Sequence, residues 1–197
     1  MNLIERVKRI LLSPPTEWQV IDAEATTPAQ LYTGYVMPLA AIGPVARIIG
    51  SSVIGYSVPA LGTYRVPFGT ALTSAITAYV LQLIAVYVLA LIIDALAPSF
   101  SGQRSRIQAL KLAVYSSTAG WVAGIFALIP GLGPLMILGL YSFYLLYVGL
   151  PILMKSPRDR AAGYMIVTCL AAIVLFMIVG MISAHFMPMP TAAITVP

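Results

Sequence analysis

Length, composition and charge place this chain among membrane proteins. It has 197 residues, of which 60% are hydrophobic and only 9% are charged. A soluble domain carries roughly a quarter charged residues, so a soluble fold is excluded. The formal net charge is +5, but the cations sit in short segments beside apolar runs. Anionic lipid headgroups are their nearest partner there, which argues against nucleic acid.

The first twelve residues predict an amphipathic helix. Apolar residues recur there at spacings of three and four between charged ones, which is not the pattern of a cleavable signal. Asn2 can cap the start of this helix, and Pro14-Pro15 ends it. We expect residues 2–12 to lie in the membrane interface, with Trp18 as a headgroup anchor. The alternative is a helix packed on the protein's own cytosolic loops.

Five segments are candidates for crossing the membrane, since a spanning helix needs about 20 mostly apolar residues. Four are clear: about 69–96, 108–129, 131–154 and 162–186. Another run starts near Tyr32 and is broken by prolines and glycines, and we expect a kinked span that ends between Gly50 and Ser57. Residues 50–68 then form an outer loop or a shallow re-entrant segment.

Charge placement predicts the orientation. Five spans put nine of the eleven basic residues on one side, in the N-terminal arm and in the loops after the second and fourth spans. This positive-inside pattern predicts a cytoplasmic N-terminus and an outer C-terminus. Arg47 falls near the outer interface, where snorkelling is favoured over an anion or lipid-phosphate contact.

The predicted fold class is therefore an all-α integral membrane protein with five transmembrane helices, preceded by the interfacial helix. We divide the chain into a cytosolic arm (1–30), a five-helix membrane domain (31–190) and a short outer tail (191–197). Basic residues beside the spans are candidate contacts for anionic headgroups. They are Arg6, Lys8, Arg9, Arg104, Arg106, Arg158 and Arg160.

A polar pocket is predicted near the inner ends of the second and third spans. Asp94 and Lys111 fall there, and we hypothesise that they form an ion pair, because a charge within a span is costly without a partner. Tyr87 shares a helical face with Asp94, and Ser117 lies on the opposing span. A proton- or ion-linked pocket is the functional interpretation, and a closed hairpin pair with hydroxyl packing is the favoured structural one.

Three tyrosines, Tyr141, Tyr144 and Tyr147, occupy the middle of the fourth span. A hydroxyl in hydrocarbon costs a few kcal/mol without a partner, so we expect these rings to face other helices or a wet cavity. Small residues lie on the other side of the helix and favour close approach. The prediction is a central fourth span, with packing favoured over ligand binding.

Residues for catalysis or metal binding are scarce. The chain has one histidine and one cysteine, and we find no catalytic triad, zinc motif or paired carboxylates in one span. The stretch "IPGLGP" (residues 129–134) lacks the lysine of a phosphate loop and predicts an outer turn. His185, Met187 and Met189 are soft Cu(I) ligands, but composition explains them better. No metal, cofactor or enzymatic activity is predicted.

Several stretches resemble a known family. "LYSFYLLYVGLPILMKSPRDRAAGY" (residues 140–164), with "SPPTEW" (13–18) and "SSTAGWVAGIFALIPGLGP" (116–134), is similar to the bacterial branch of the Yip family. That family is named for eukaryotic relatives that interact with Ypt/Rab GTPases. The resemblance implies a five-helix membrane fold without enzymatic activity. The chain lacks the long cytosolic domain and "DLYGP"-type motif of the trafficking members, so GTPase binding is not transferred.

These observations predict a non-catalytic protein of the bacterial inner membrane that organises the membrane or serves as a platform for protein and lipid interactions. Its expected partners are membrane lipids and an unidentified protein or a second copy of itself. The alternative is a small transporter or channel component, with a polar path between the second, third and fourth spans. A wet cavity joining Asp94 to the tyrosines would favour transport, and a dry bundle would favour a platform.

Overall fold

The computed structural model describes residues 2–58 and 62–185. In this part of the chain the protein is helical apart from one short β-hairpin. We name the elements α1 (Leu3–Leu12), α2 (Pro14–Ala23), α3 (Pro28–Ile54), β1 (Tyr56–Val58), β2 (Gly62–Tyr64), α4 (Phe68–Phe100), α5 (106–128), α6 (Pro130–Leu153) and α7 (Arg158–His185). The predicted outer tail, 191–197, and the methionines at 187 and 189 lie outside the described residues.

Four of these helices, α3, α4, α6 and α7, are long and apolar enough to cross a membrane. Three of them, α3, α4 and α6, contain irregular turns. Helix α3 has π-helical turns at Tyr32–Val36 and Ile49–Ile54, around its prolines. Helix α4 ends in a 3₁₀ turn at Ala97–Phe100, and the first half of α6, Pro130–Leu140, is also 3₁₀. The interrupted run near Tyr32 thus forms one long helix, as predicted.

The N-terminal segment forms a helical hairpin, α1 and α2, that packs into the bundle. Asn2 caps α1 by accepting a hydrogen bond from the backbone N–H of Ile4 at 3.2 Å, as the sequence predicted. The prediction for Trp18 is wrong. Its side chain is fully buried, not anchored among headgroups, because α2 packs along α6 and turns the indole toward the bundle.

The position of Trp18 depends on a glycine in α6. A Cβ built on Gly149 would lie 2.6 Å from Cδ1 of Leu112 and 2.8 Å from Cε2 of Trp18. Only a residue without a side chain lets the indole and α5 approach α6 this closely. The edge of the Trp18 ring also meets the ring of Tyr115, with 6.3 Å between centroids. The predicted small-residue side of the fourth span is therefore its packing side.

The central helix is α5, and the prediction that the fourth span is central is wrong. Every residue from Ala109 to Ser116 is buried, and α5 packs against α3, α4 and α6. A helix surrounded by protein needs no apolar stripe, and α5 carries alanine, serine and tyrosine among its leucines. Helix α7 packs on α4 and α6 at the side of the bundle.

One end of the bundle, which we call the basic end, contains the loop 101–105 and the turn 154–157. The two segments are joined by hydrogen bonds from Gln103 N to the carbonyl of Met154 (2.7 Å) and from the Ser156 hydroxyl to the carbonyl of Phe100 (2.9 Å). The ring of Phe100 stacks on that of Tyr164. The N-terminal hairpin enters the bundle from this end.

Glycines set the packing at the opposite end. A Cβ on Gly50 would lie 2.2 Å from the carbonyl oxygen of Ala127, and one on Gly124 would lie 2.9 Å from the Cα of Gly43. Helices α3 and α5 therefore touch backbone to backbone. The segment after α3 forms an antiparallel β-hairpin in which Tyr56 faces Tyr64. Between α5 and α6 the chain reverses at Ile129, and Pro130 already begins the next helix.

Replacing Gly149 by alanine tests the socket of Trp18. We expect Gly149→Ala to lower the free energy of unfolding by about 1–3 kcal/mol, because the buried side chains around the new methyl group cannot move aside. Gly180→Ala is the matched control, since a Cβ there meets nothing within 4 Å. It should leave stability unchanged or raise it by up to about 1 kcal/mol through helix propensity. Denaturation in one detergent compares the two, and equal midpoints would contradict the packing described here.

Candidate functional site

A buried ion pair joins the two helices of the N-terminal hairpin. The Arg6 guanidinium donates to Oε1 of Glu17 at 2.7 Å, and these residues are only 5% and 3% exposed. Arg6 also pairs with Glu24 at the end of α2, and its guanidinium carbon lies 5.6 Å from the centre of the Tyr115 ring. The predicted headgroup contact for Arg6 is therefore wrong, because Glu17, Glu24 and Tyr115 surround its guanidinium inside the protein.

Lys111 binds the end of α2 and not Asp94. Its buried ammonium donates to the carbonyl oxygens of Ile21 at 2.8 Å and Glu24 at 2.6 Å. These carbonyls belong to the last turn of α2, where no intrahelical donor remains and the helix dipole favours a cation. The predicted ion pair between Asp94 and Lys111 is thus wrong. Lys111 instead fixes the hairpin to the central helix.

A second set of polar contacts lies at the rim of the same junction. The Lys155 ammonium pairs with Oδ2 of Asp22 at 2.5 Å, and the Gln108 amide donates to Oδ1 of Asp22 at 3.0 Å. Both partners of Asp22 come from the bundle, so its carboxylate connects α2 to α5 and to the turn after α6. Asp22 therefore adds a second polar attachment of the hairpin to the bundle.

Aromatic and hydroxyl groups continue this junction toward the middle of the bundle. Tyr35 of α3 shares a buried hydrogen bond with the Thr118 hydroxyl at 2.8 Å, and its ring meets that of Tyr115 edge-on at 4.7 Å. Neither Tyr35 nor Glu17 was predicted from the sequence as a site residue. A signal for the acidic partners was present, since Glu17 and Glu24 are seven residues apart and share a helix face.

The remaining members of the predicted polar pocket do not come together. One carboxylate oxygen of Asp94 is buried without a hydrogen-bond partner among the described residues. Tyr87 is 47% exposed on the surface of α4. The Ser117 hydroxyl donates to the carbonyl of Ala113 in its own helix at 2.7 Å.

The three tyrosines of α6 face outward, contrary to the predicted interior position. Tyr141, Tyr144 and Tyr147 are 37%, 45% and 42% exposed. The glycine side of α6 permits closer packing than the ring side, so it turns toward the bundle and the rings turn away. The hydroxyl of Tyr141 donates to the carbonyl of Leu11, at the end of α1, at 3.0 Å. The rings of Tyr141 and Tyr144 lie 5.2 Å apart.

The other basic residues selected for headgroup contact have exposed side chains. They are Lys8, Arg9, Arg104, Arg106, Arg158 and Arg160. Arg9 also forms an exposed pair with Glu5 one turn earlier on α1. Arg47 is exposed as well. Their contact with lipid stays a prediction.

Two of the cavities in the bundle bear on the predicted polar pocket. One, of about 540 Å³, lies at the basic end between α2, α6 and the start of α7. The other, of about 310 Å³, is lined by α4, α5, α6 and α7, chiefly by apolar side chains such as Leu89, Phe143 and Phe176. Tyr147 lines the first and Ser117 the second. Asp94, Tyr87, Tyr141 and Tyr144 line neither.

Within residues 2–58 and 62–185, no group of three histidine, cysteine or acidic side chains is placed to hold a metal ion. The thiol of Cys169 is free and half-buried in α7.

The long apolar helices around a buried polar junction define a multi-pass helical membrane protein. The "Yip1 domain" family matches residues 8–180, and the chain belongs to this family. It is 27% identical over 155 residues to the inner membrane protein YohC of Escherichia coli (strain K12), covering 77% of this chain and 80% of that relative. YohC of Escherichia coli O6:H1 (strain CFT073) matches equally. The chain is thus a multi-pass protein of the inner membrane. No solved structure matches it.

The Arg6–Glu17 pair and the Arg9–Glu5 pair on the same helix provide a matched comparison. Removing one partner of a buried pair leaves the other charge buried without a counter-charge. We therefore expect Arg6→Met to lower the free energy of unfolding by about 3–5 kcal/mol. Arg9→Met breaks an exposed pair and should cost less than about 1 kcal/mol. Chemical denaturation of both variants in one detergent measures the difference. Similar losses for the two would refute a structural role for the buried pair.

Lys111 and Asp94 can be separated by substitution. Lys111→Met removes the donor from two buried carbonyls and should destabilise the protein by about 1–3 kcal/mol. Asp94→Asn removes a charge that forms no ion pair here, so the stability should stay the same or rise. Thermal unfolding of both single variants and the double variant checks this. If Asp94→Asn is as damaging as Lys111→Met and the double variant no worse, the two residues are paired after all.

Proposed function

We propose that this protein is a non-catalytic platform of the inner membrane that binds another membrane helix through the tyrosine face of α6 and lipid at its basic end. In the proposed topology α3, α4, α5, α6 and α7 each cross the bilayer, with the basic end in the cytoplasm. The distribution of basic residues supports this orientation. Helix α5, which is not one of the four long apolar helices, is less apolar than they are because protein surrounds it.

The observation that carries the proposal is the exposed position of Tyr141, Tyr144 and Tyr147 within a spanning helix. Tyr144 and Tyr147 make no hydrogen bond through their hydroxyls to any described residue of this chain. A phenol group surrounded by acyl chains loses its hydrogen bonds to water, at a cost of a few kcal/mol. A neighbouring transmembrane helix with a polar group or a backbone carbonyl removes this cost. A second copy of this chain presents such groups on the same face.

The alternative, a small transporter, has weaker support. It requires a polar path lined by Tyr87, Asp94, Ser117, Tyr141 and Tyr144, and of these five residues Ser117 alone lines either of the two cavities described above. The intramembrane cavity is apolar on most of its wall. These features favour the platform.

Site-specific photo-crosslinking in native membranes tests the platform. With a photoreactive phenylalanine analogue at position 144, we expect a discrete crosslinked band, which mass spectrometry identifies as a second copy or another membrane protein. The same analogue at position 173 is the control, because Ile173 is an exposed apolar residue of α7, and it should yield lipid adducts only. Tyr147→Phe should weaken the band by removing one hydroxyl. If positions 144 and 173 give the same lipid-only pattern, the tyrosine face is not a protein contact.

A further inference from the structure

The larger cavity is a groove with a cation at its mouth and an apolar floor. Its walls come from the N-terminal hairpin (Pro15 and Gln19), from α6 and from the beginning of α7. Arg158 lines the end nearest the turn 154–157, and Val148 and Ile152 line the part that runs into the bundle. At 1.5 Å per residue, the stretch of α6 from Tyr147 to Leu153 covers about 9 Å. The groove therefore extends from the basic end into the apolar region.

Two features make the wall of this groove amphipathic. Pro151 has no N–H, so the carbonyl of Tyr147 lacks the donor that an α-helix would supply four residues later. The Tyr147 phenol lines the same wall. The groove thus offers hydrogen-bonding groups part of the way down and apolar side chains beside them. Its volume of about 540 Å³ lies in the range of ligand pockets.

The charge at the mouth selects the sign of the ligand. Arg158 is exposed and is not among the arginines that form ion pairs within the described residues. The neighbouring cation, Lys155, is already held by Asp22. A guanidinium binds a phosphate through two parallel hydrogen bonds. A zwitterionic lipid also has a phosphate, but its quaternary ammonium places a second positive charge near the arginine, which opposes binding.

We propose that this groove binds one anionic glycerophospholipid, with its phosphate on Arg158 and the upper part of an acyl chain along Val148 and Ile152. A lipid fits better than a free phosphate compound because most of the groove beyond Arg158 is apolar. The inference rests on the proposed function, in which the basic end lies in the cytoplasm. The hairpin supplies one wall, so lipid binding stabilises its docked position, and docking completes the site.

Native mass spectrometry of the purified full-length chain tests this. The probes are phosphatidylglycerol and phosphatidylcholine with identical acyl chains, which differ in net charge. We expect the wild type to retain phosphatidylglycerol about tenfold more strongly, because the choline group of phosphatidylcholine places a positive charge near Arg158 that phosphatidylglycerol lacks. Arg158→Gln should bring the two lipids close to parity. Arg104→Gln is the matched control, because Arg104 is exposed at the same end and does not line the groove, and it should leave the preference unchanged.

A second variant tests the apolar part without changing charge. Val148→Phe should reduce retention of both lipids by filling the groove. Equal retention of the two lipids by the wild type, or equal effects of the Arg158 and Arg104 substitutions, would overturn the proposal. Full competition by glycerol 3-phosphate would also overturn it, because the site would then bind a free phosphate. If lipid retention shows no preference but position 144 gives a protein crosslink, the lipid site alone is rejected. If neither the lipid preference nor the crosslink is found, the platform is rejected as well.

Discussion

The position of the N-terminal hairpin depends on the buried contact between Arg6 and Glu17. An arginine remains protonated in a protein, and its charge is costly in a medium of low dielectric constant unless acceptors surround it. Once Arg6 is inside, the carboxylates of Glu17 and Glu24 must lie beside it, and the end of α2 then meets Lys111. Each of these polar contacts requires the others. We therefore expect the hairpin to dock as one cooperative unit rather than by gradual association.

Sequence periodicity predicted the helices well and their surroundings poorly. The extent of α1 and its Asn2 cap follow from residue spacing, and the long helices follow from runs of apolar residues. Both are local information. The burial of Arg6 and Trp18 does not follow from local information. Hydropathy describes each residue by itself, so it does not show that Glu17 pairs with Arg6 or that Gly149 leaves space for Trp18. For α6, the helical periodicity correctly placed the tyrosines and the glycines on opposite sides of the helix. It could not show which side turns inward, since that depends on how closely the neighbouring helices approach.

Charge pairing shows the same limit. Asp94 and Lys111 are close along a predicted hairpin, and the requirement that an intramembrane charge finds a partner is sound. Lys111 instead donates hydrogen bonds to the backbone carbonyls of Ile21 and Glu24, which are 90 and 87 residues away in the sequence. A helix end displays several orphan acceptors at once, and a sequence pattern does not reveal where such an end will dock. The central position of α5 was missed for a related reason, because protein encloses this helix and its polar residues find partners inside the bundle.

The proline-joined hairpin also has a consequence for biosynthesis. Its contacts reach across nearly the whole chain: Tyr141 is 130 residues from Leu11, and Lys155 is 133 residues from Asp22. Helices α1 and α2 leave the ribosome before the later helices on which they pack, so their packing is completed late. In the interval α1 is an amphipathic helix without its socket, and the bilayer surface is the place where such a helix is stable. The interfacial position suggested by its sequence then describes a stage of assembly, and the structure shows the finished state.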